Sequence, residues 1–204
     1  MTKAKFITLE GIDGAGKSTH IDFIKQYFEK NQLDYFVTRE PGGTDLGERL
    51  RQILLNENMH PTTETLLMFA ARAEHLEKVI IPNLSQGINV LCDRFSDATI
   101  AYQSGGKGVN IDFINALKKY THGGLSPDLT ILFDLPTNVS LERLKKTRTL
   151  DKFEQEAQVF HDRVRDSYLR LAKSEPSRFK VIDSTQSIIS IQDIIEEFMG
   201  KVFK

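Results

Sequence analysis

Gly11-Ile12-Asp13-Gly14-Ala15-Gly16-Lys17-Ser18 has the glycine spacing that folds a backbone around phosphate, and it closes on a lysine and a hydroxyl. Three glycines let peptide N–H groups turn inward with no Cβ in the way, Lys17 supplies a mobile positive charge, and Ser18 offers a hydroxyl to magnesium. Phe6-Ile7-Thr8-Leu9 in front reads as a buried strand. The amphipathic stretch Thr19 to Tyr27 behind reads as a helix whose positive end faces the same phosphates. That context favours a nucleoside triphosphate site over a glycine-rich surface turn.

Two further groups of residues have phosphate chemistry. Arg39-Glu40-Pro41-Gly42-Gly43-Thr44 holds an arginine and a glutamate at the tip of a loop made rigid by proline and sharp by glycine, which suits a second anion site. In Asp93-Arg94 the carboxylate can reach magnesium's water shell and the guanidinium can fork onto a phosphate. Alone, Arg39 or Arg94 reads equally as half of a surface ion pair. Both follow strand-like runs beside the glycine loop, and that favours phosphate.

The elements that must position these residues are legible as alternating patterns. Strand signals fall at Phe6 to Glu10, Tyr35 to Thr38, Asn89 to Cys92, Leu129 to Leu135 and Phe179 to Ile182. Helical periodicity separates them, at Ser18 to about Lys30, Gly47 to Leu55, Glu64 to Leu84, Ile111 to Tyr120, Val139 to Lys146, Phe153 to Ala172 and Ile191 to Val202. Five short apolar strands alternating with helices predict an α/β fold, a five-stranded parallel sheet with helices on both faces. The 204 residues fit one domain, 1–204. Ligands of such sheets collect at the carboxyl ends of the strands, where the polar residues above stand.

Composition narrows the class. Lys plus Arg at 27 against Asp plus Glu at 28 leaves a net charge of −1, which argues against a dedicated nucleic-acid or membrane-surface binder. The single cysteine, Cys92, excludes an internal disulfide and reads as core. None of the five histidines stands with other ligands at metal-site spacing, and no signal-like or membrane-spanning apolar run is present. A soluble cytoplasmic protein is expected.

A phosphate loop alone leaves transport ATPases, GTPases, helicases and small-molecule kinases open. The chain has neither an Asn-Lys-x-Asp guanine signature nor a Leu-Ser-Gly-Gly-Gln segment. It does have a second anion site, and Arg72 on the same predicted helix as Phe69, so a second small substrate with its own phosphate is implied. These residues carry a resemblance that runs nearly end to end. It rests on Leu9 to Thr19, Thr38-Arg39-Glu40-Pro41-Gly42-Gly43-Thr44, Met68-Phe69-Ala70-Ala71-Arg72, Asp93-Arg94-Phe95, Ala101-Tyr102-Gln103 with Gly105-Gly106-Lys107-Gly108, Pro127-Asp128-Leu129-Thr130, and Leu150 to Glu156. The chain resembles the thymidylate kinase family of P-loop nucleoside monophosphate kinases.

The resemblance implies transfer of the γ-phosphoryl group of ATP to dTMP, with Mg²⁺ bridging the donor phosphates, in a fold with a mobile lid and generally as a homodimer. On it, Gly11, Ile12, Asp13, Gly14, Ala15, Gly16, Lys17, Ser18 and Thr19 hold ATP, with Ser184, Thr185 and Gln186 cupping the adenine. Ser18 and, through water, Asp93 hold the metal. Arg39 and Arg94 grip the acceptor phosphate, with Asp13 near its sugar and phosphate or serving loop geometry alone. Phe69 stacks on thymine while Arg72 donates to O4, three residues apart on one helix face; the competing reading makes Phe69 core, and many relatives place the aromatic where this chain has Met68. Thr99 and Gln103 contact the base edge, and Tyr102 crowds a ribose 2′-hydroxyl or simply packs under its helix. The lid spans about 145–152. Arg148 is its catalytic arginine, and Lys152, where relatives often have arginine, only assists. Ser184 or Thr185 also suits a helix N-cap.

Two rivals remain at this stage. A kinase for another monophosphate is favoured if Phe69, Arg72 and Tyr102 lie away from the acceptor pocket. A nucleotide-binding switch without turnover is opposed by the intact Lys17, Asp93 and Arg148.

Overall fold

The computed structural model describes residues 3–145 and 151–204. Strands β1 (Phe6–Glu10), β2 (Tyr35–Arg39), β3 (Asn89–Asp93), β4 (Leu129–Asp134) and β5 (Phe179–Asp183) form one all-parallel sheet in the order β2-β3-β1-β4-β5. Every strand of the sequence reading is present, and four of the five run on by at most one residue or stop one short. The register sets Leu9 and Arg39 both against Asp93, and Asp134 against Asp183, so the polar strand ends share one edge.

The helices are α1 (Lys17–Lys30), α2 (Asp45–Asn56), α3 (Pro61–His75), α4 (Ile81–Ser85), α5 (Ser96–Thr99), α6 (Ile111–His122), α7 (Thr137–Lys145), α8 (Gln158–Ser174) and α9 (Ile188–Val202), among the described residues. The largest core cluster spans both faces of the sheet, with α1 and α9 on one side and α8 on the other, and buries Ile7, Leu9, Ile24, Phe28, Leu132, Phe133, Val164 and Ile195. A second cluster, Phe6, Leu76, Ile80, Val90, Cys92 and Phe95, lies on the α8 side of the sheet. Among the described residues no helix is long and apolar enough to cross a membrane.

Three helices differ from expectation. The predicted helix from Glu64 to Leu84 starts at Pro61, and it passes through a π-helical stretch, Leu76–Ile80, just before Pro82, which has no N–H for the ladder. The helix placed at Phe153 begins only at Gln158. Asp151 Oδ1 accepts from the Phe153 and Glu154 amides at 2.9 and 3.0 Å, and this local turn competes with the helix. Helix α9 begins before Ile191, capped by Ser187 accepting from Ser190 N, so neither Ser184 nor Thr185 caps it. The segment Ser96–Gly106, α5 followed by π-helical turns, was not anticipated.

Gly11, φ +134°, is where the first strand meets the glycine loop, and a Cβ there would stand 2.5 Å from the Phe133 carbonyl oxygen on β4. Gly11→Ala is expected to destabilise the fold by about 3 kcal/mol, through backbone strain and a contact that cannot yield. Urea unfolding tests this, and a loss below about 1 kcal/mol would mean the loop shifts freely.

Candidate active site

The sheet edge opens into a cleft of about 870 Å³. Asp13, Gly14, Gly16, Lys17, Ser18 and Thr19 line one wall, while Ile12 and Ala15 turn their side chains into the core. Gly16 has φ 96°, and α1 has no side-chain cap, so its first N–H groups stay available to an anion. Lys17 Nζ donates to the Gly11 and Ile12 carbonyls at 3.0 and 3.1 Å, folded back over its own loop. Burial and then the neighbouring Arg94 lower its pKa, against the pull of Asp93 and Asp13.

Arg94 is the hub of the cleft. Its backbone is left-handed at φ 69°, fixed by Arg94 N donating to Leu9 O and Phe95 N donating to Glu10 Oε1 at 2.7 Å. The guanidinium donates to Asp13 Oδ1 at 2.8 Å and to the Tyr102 hydroxyl at 3.0 Å from one nitrogen, and to the Tyr168 hydroxyl at 3.3 Å from the other. Tyr102 in turn donates to Asp13 Oδ2 at 2.9 Å. Burial pushes the Asp13 pKa up, but Arg94, Lys17 and the hydrogen bonds from Tyr102 and Arg94 outweigh it and hold the carboxyl below the usual range. Asp93 lies beside this hub, and its Oδ1 is buried with no hydrogen-bond partner among the described residues. Arg39 also lines the cleft; it is exposed and pairs with Glu48 at 2.9 Å. Sequence reading missed Arg51, which donates to Pro41 O at 2.9 Å and lines the same wall.

The far end of the cleft is built around Arg72, 2 % exposed. Nε donates to Glu40 Oε2 at 2.7 Å, one terminal nitrogen donates to Thr99 Oγ1 at 2.9 Å, and the other is buried without a partner. Glu40 is held from behind by His75, whose Nδ1 lies 3.0 Å from Oε1 and whose Nε2 lies 2.7 Å from Thr38 Oγ1. Nothing in the sequence signals this relay, because each hydrogen-bonded pair in it is 27 to 37 residues apart. Met68, Thr99, Tyr102 and Gln103 line the cleft around Arg72. Phe69 does not. It packs with Ile100 and Ile114, and its ring centroid lies 4.8 Å from the Arg72 guanidinium carbon. Adjacent residues on a helix point about 100° apart, so turning Arg72 and Met68 to the cleft turns Phe69 inward. The expectation that Phe69 faces the cleft is therefore corrected: Phe69 is core, and Met68 lines the cleft.

Ser184, Thr185 and Gln186 do not line the cleft. Ser184 is buried, Thr185 bonds back to Asp183, and the Ser184 carbonyl accepts from Arg143 at 3.2 Å. Arg143 also donates to Gly14 O at 3.4 Å, so it ties that loop to the phosphate loop, a link absent from the sequence reading. Lys152 points to α3, donating to Glu57 O at 2.7 Å and pairing with Glu64 at 3.1 Å. Arg148 lies outside the described residues, as does most of the expected lid.

Glu10 lies beneath the hub, accepting also from the Tyr168 hydroxyl at 2.8 Å. Burial and then Asp97 push its pKa from 4.5 up to about 8, against the lowering effect of Arg94 and the Tyr168 and Phe95 hydrogen bonds. Between those values the folded chain holds a proton that the unfolded chain has released. Stability from this group is thus complete below the unfolded value and is lost as pH rises through about 8. Relative to Glu10→Gln, the wild-type chain is expected to lose on the order of a few kcal/mol between about pH 5 and pH 8. Denaturant unfolding at several pH values checks this; a pH-independent difference would refute it.

Fold and cleft together define a P-loop phosphotransferase of the nucleoside monophosphate kinase type: a donor loop at the end of β1 faces cationic side chains at the ends of β2 and β3 across one cavity. The thymidylate kinase family model matches residues 9–195. A thymidylate kinase from Janthinobacterium sp. (strain Marseille) is 56% identical over 202 residues, covering 99% of both chains. One from Cupriavidus necator is 52% identical, covering 98% of this chain and all of the other, and one from Neisseria meningitidis is 50% identical over 98% of each. The chain belongs to the thymidylate kinase family and is a phosphotransferase.

Proposed function

We propose that this chain transfers the γ-phosphoryl group of ATP to dTMP, giving dTDP and ADP. The observation that carries the reading is that one cleft is lined both by the phosphate loop and by Arg39, Arg94, Arg72 and Gln103. Lys17, the loop amides and the open end of α1 hold the donor phosphates, and Arg143 with the Ser184-Thr185-Gln186 loop lies toward the adenine. Arg94 and Arg39 hold the acceptor phosphate in line and offset the repulsion between two anions.

Ser18 and Asp93 fit magnesium: a hydroxyl beside the phosphate loop, and a buried carboxylate oxygen, without a donor among the described residues, that can accept from metal-bound water. Held by Ser18 and, through water, Asp93, a magnesium ion would supply positive charge against the negative charge of the donor phosphates. At the other end, the unpartnered Arg72 nitrogen donates to thymine O4, and Met68 supplies the apolar surface for the ring. Tyr102, its hydroxyl pinned by Arg94 and Asp13, cannot swing aside for a 2′-hydroxyl. The lid, about 145–152, closes with Arg148 and excludes water. A homodimer completes the proposal, supported by Leu46 and Ile53 of α2 and Leu66 of α3, which are exposed on neighbouring helices.

The test is ADP release from Mg-ATP with each nucleoside monophosphate in turn, with Lys17→Ala as control. Turnover with dTMP, and with dUMP as a poor second, supports the reading. Preference for a different monophosphate overturns Arg72, Met68 and Tyr102 as selectors; no turnover with any of them overturns the kinase assignment.

A further inference from the structure

Glu64, in the first turn of α3, is fully buried behind Gln103, which lines the cleft. Its Oε1 accepts from Gln103 Nε2 at 3.0 Å. Its Oε2 faces two ammonium groups, Lys107 Nζ at 2.9 Å and Lys152 Nζ at 3.1 Å. Lys107 lies also 4.0 Å from Glu156, and Lys152 donates to Glu57 O. We infer that Glu64 is a positioning residue that sets which end of the Gln103 amide meets the acceptor base. This rests on the dTMP reading and deepens it.

The argument is one of donors and acceptors. A carboxylate only accepts, so the Gln103 nitrogen must face Glu64 and the Gln103 oxygen must take the other direction. Gln103 lines the acceptor cleft, and its oxygen takes no hydrogen bond among the described residues. An oxygen presented there accepts from the N3–H of thymine or uracil and opposes cytosine, whose N3 is itself an acceptor. The two lysines fix the polarity from the other side, because ammonium groups only donate. They hold Oε2 in place and leave Oε1 to Gln103. The same carboxylate tethers Lys152, so the residue that closes the expected lid segment and the residue that reads the base share one anchor.

Glu64→Gln makes a sharp test. The lysines will claim the oxygen of the new amide, its nitrogen will then point at Gln103, and the Gln103 amide must turn over and present N–H₂ to the cleft. The ratio of kcat/KM for dTMP over dCMP is expected to fall about tenfold or more, since a site with a mismatched buried polar group discriminates poorly. The KM for ATP should not move. Glu64→Asp, which stays acceptor-only, should weaken dTMP binding but keep the discrimination, and it serves if the glutamine variant fails to fold. In a Gln103→Leu background, Glu64→Gln should leave the dTMP/dCMP ratio unchanged. An equal loss toward dTMP and dCMP on Glu64→Gln, or a change of ratio that persists without Gln103, would overturn the inference. Failure of the dTMP reading itself would appear separately, as a lack of dTMP preference in the unmutated chain.

Discussion

Arg94→Ala is expected to lower kcat/KM for dTMP by about 10³, comparable to the loss of a buried charged donor at a site of phosphoryl transfer. The affinity for ATP should change by less than about threefold, since among the described residues Asp13 alone of the phosphate loop takes a hydrogen bond from the Arg94 guanidinium, and Lys17 feels it only through charge. Asp13 provides a second readout. Burial alone pushes its carboxyl up, and Arg94 leads the opposing contributions, so without the guanidinium its pKa should rise. Activity remaining in the variant would then acquire an acid-side dependence absent from the wild type. Arg94→Lys keeps a charge but cannot reach Asp13, Tyr102 and Tyr168 at once, so it should recover only part of the loss. Steady-state kinetics in both substrates decide the matter, and an equal loss of ATP affinity would remove Arg94 from the acceptor side.

The sheet was readable in the sequence because each strand is a short, mainly apolar run with polar residues at its end, with β1, β3 and β4 buried on both faces. Arg39, Asp93 and Arg94 were findable for the same reason: they follow strands. What could not be read is how the side chains are held. Arg94 was placed, but its left-handed backbone and the Glu10 carboxylate that fixes it depend on a partner 85 residues away. Arg72 was found as a donor, whereas the Thr38-His75-Glu40 relay behind it exists only in three dimensions. Met68 and Phe69 mark the limit of a periodicity argument, since both are apolar and only packing decides which one faces the cleft. The turn at Asp151 to Ala157 was hidden because Phe153 and Phe160 continue the apolar spacing of α8 one turn too far back.

The second large effect is expected at Arg148. Each described cation on the cleft wall is already committed: Lys17 to the Gly11 and Ile12 carbonyls, Arg39 to Glu48, Arg51 to Pro41, Arg72 to Glu40 and Thr99, Arg94 to Asp13, and Arg143 to Gly14 and Ser184. Lys152, at the end of the expected lid, is anchored on Glu57 and Glu64. Gly14 and Ala15 add no charge between Asp13 and Gly16. Leu144 and Asp151 both line the cleft, so the chain reaches it on either side of Arg148. Arg148 is therefore the arginine we propose neutralises charge as the phosphoryl group moves. Its replacement by alanine should reduce kcat by about 10³ while each KM stays within roughly threefold, the pattern of an interaction made only in the transition state. Arg148→Lys should restore less than a tenth of the lost rate, because a point charge cannot span two equatorial oxygens. An unchanged kcat would move the catalytic cation elsewhere, first to Arg143, whose two carbonyl contacts would have to open for it to serve.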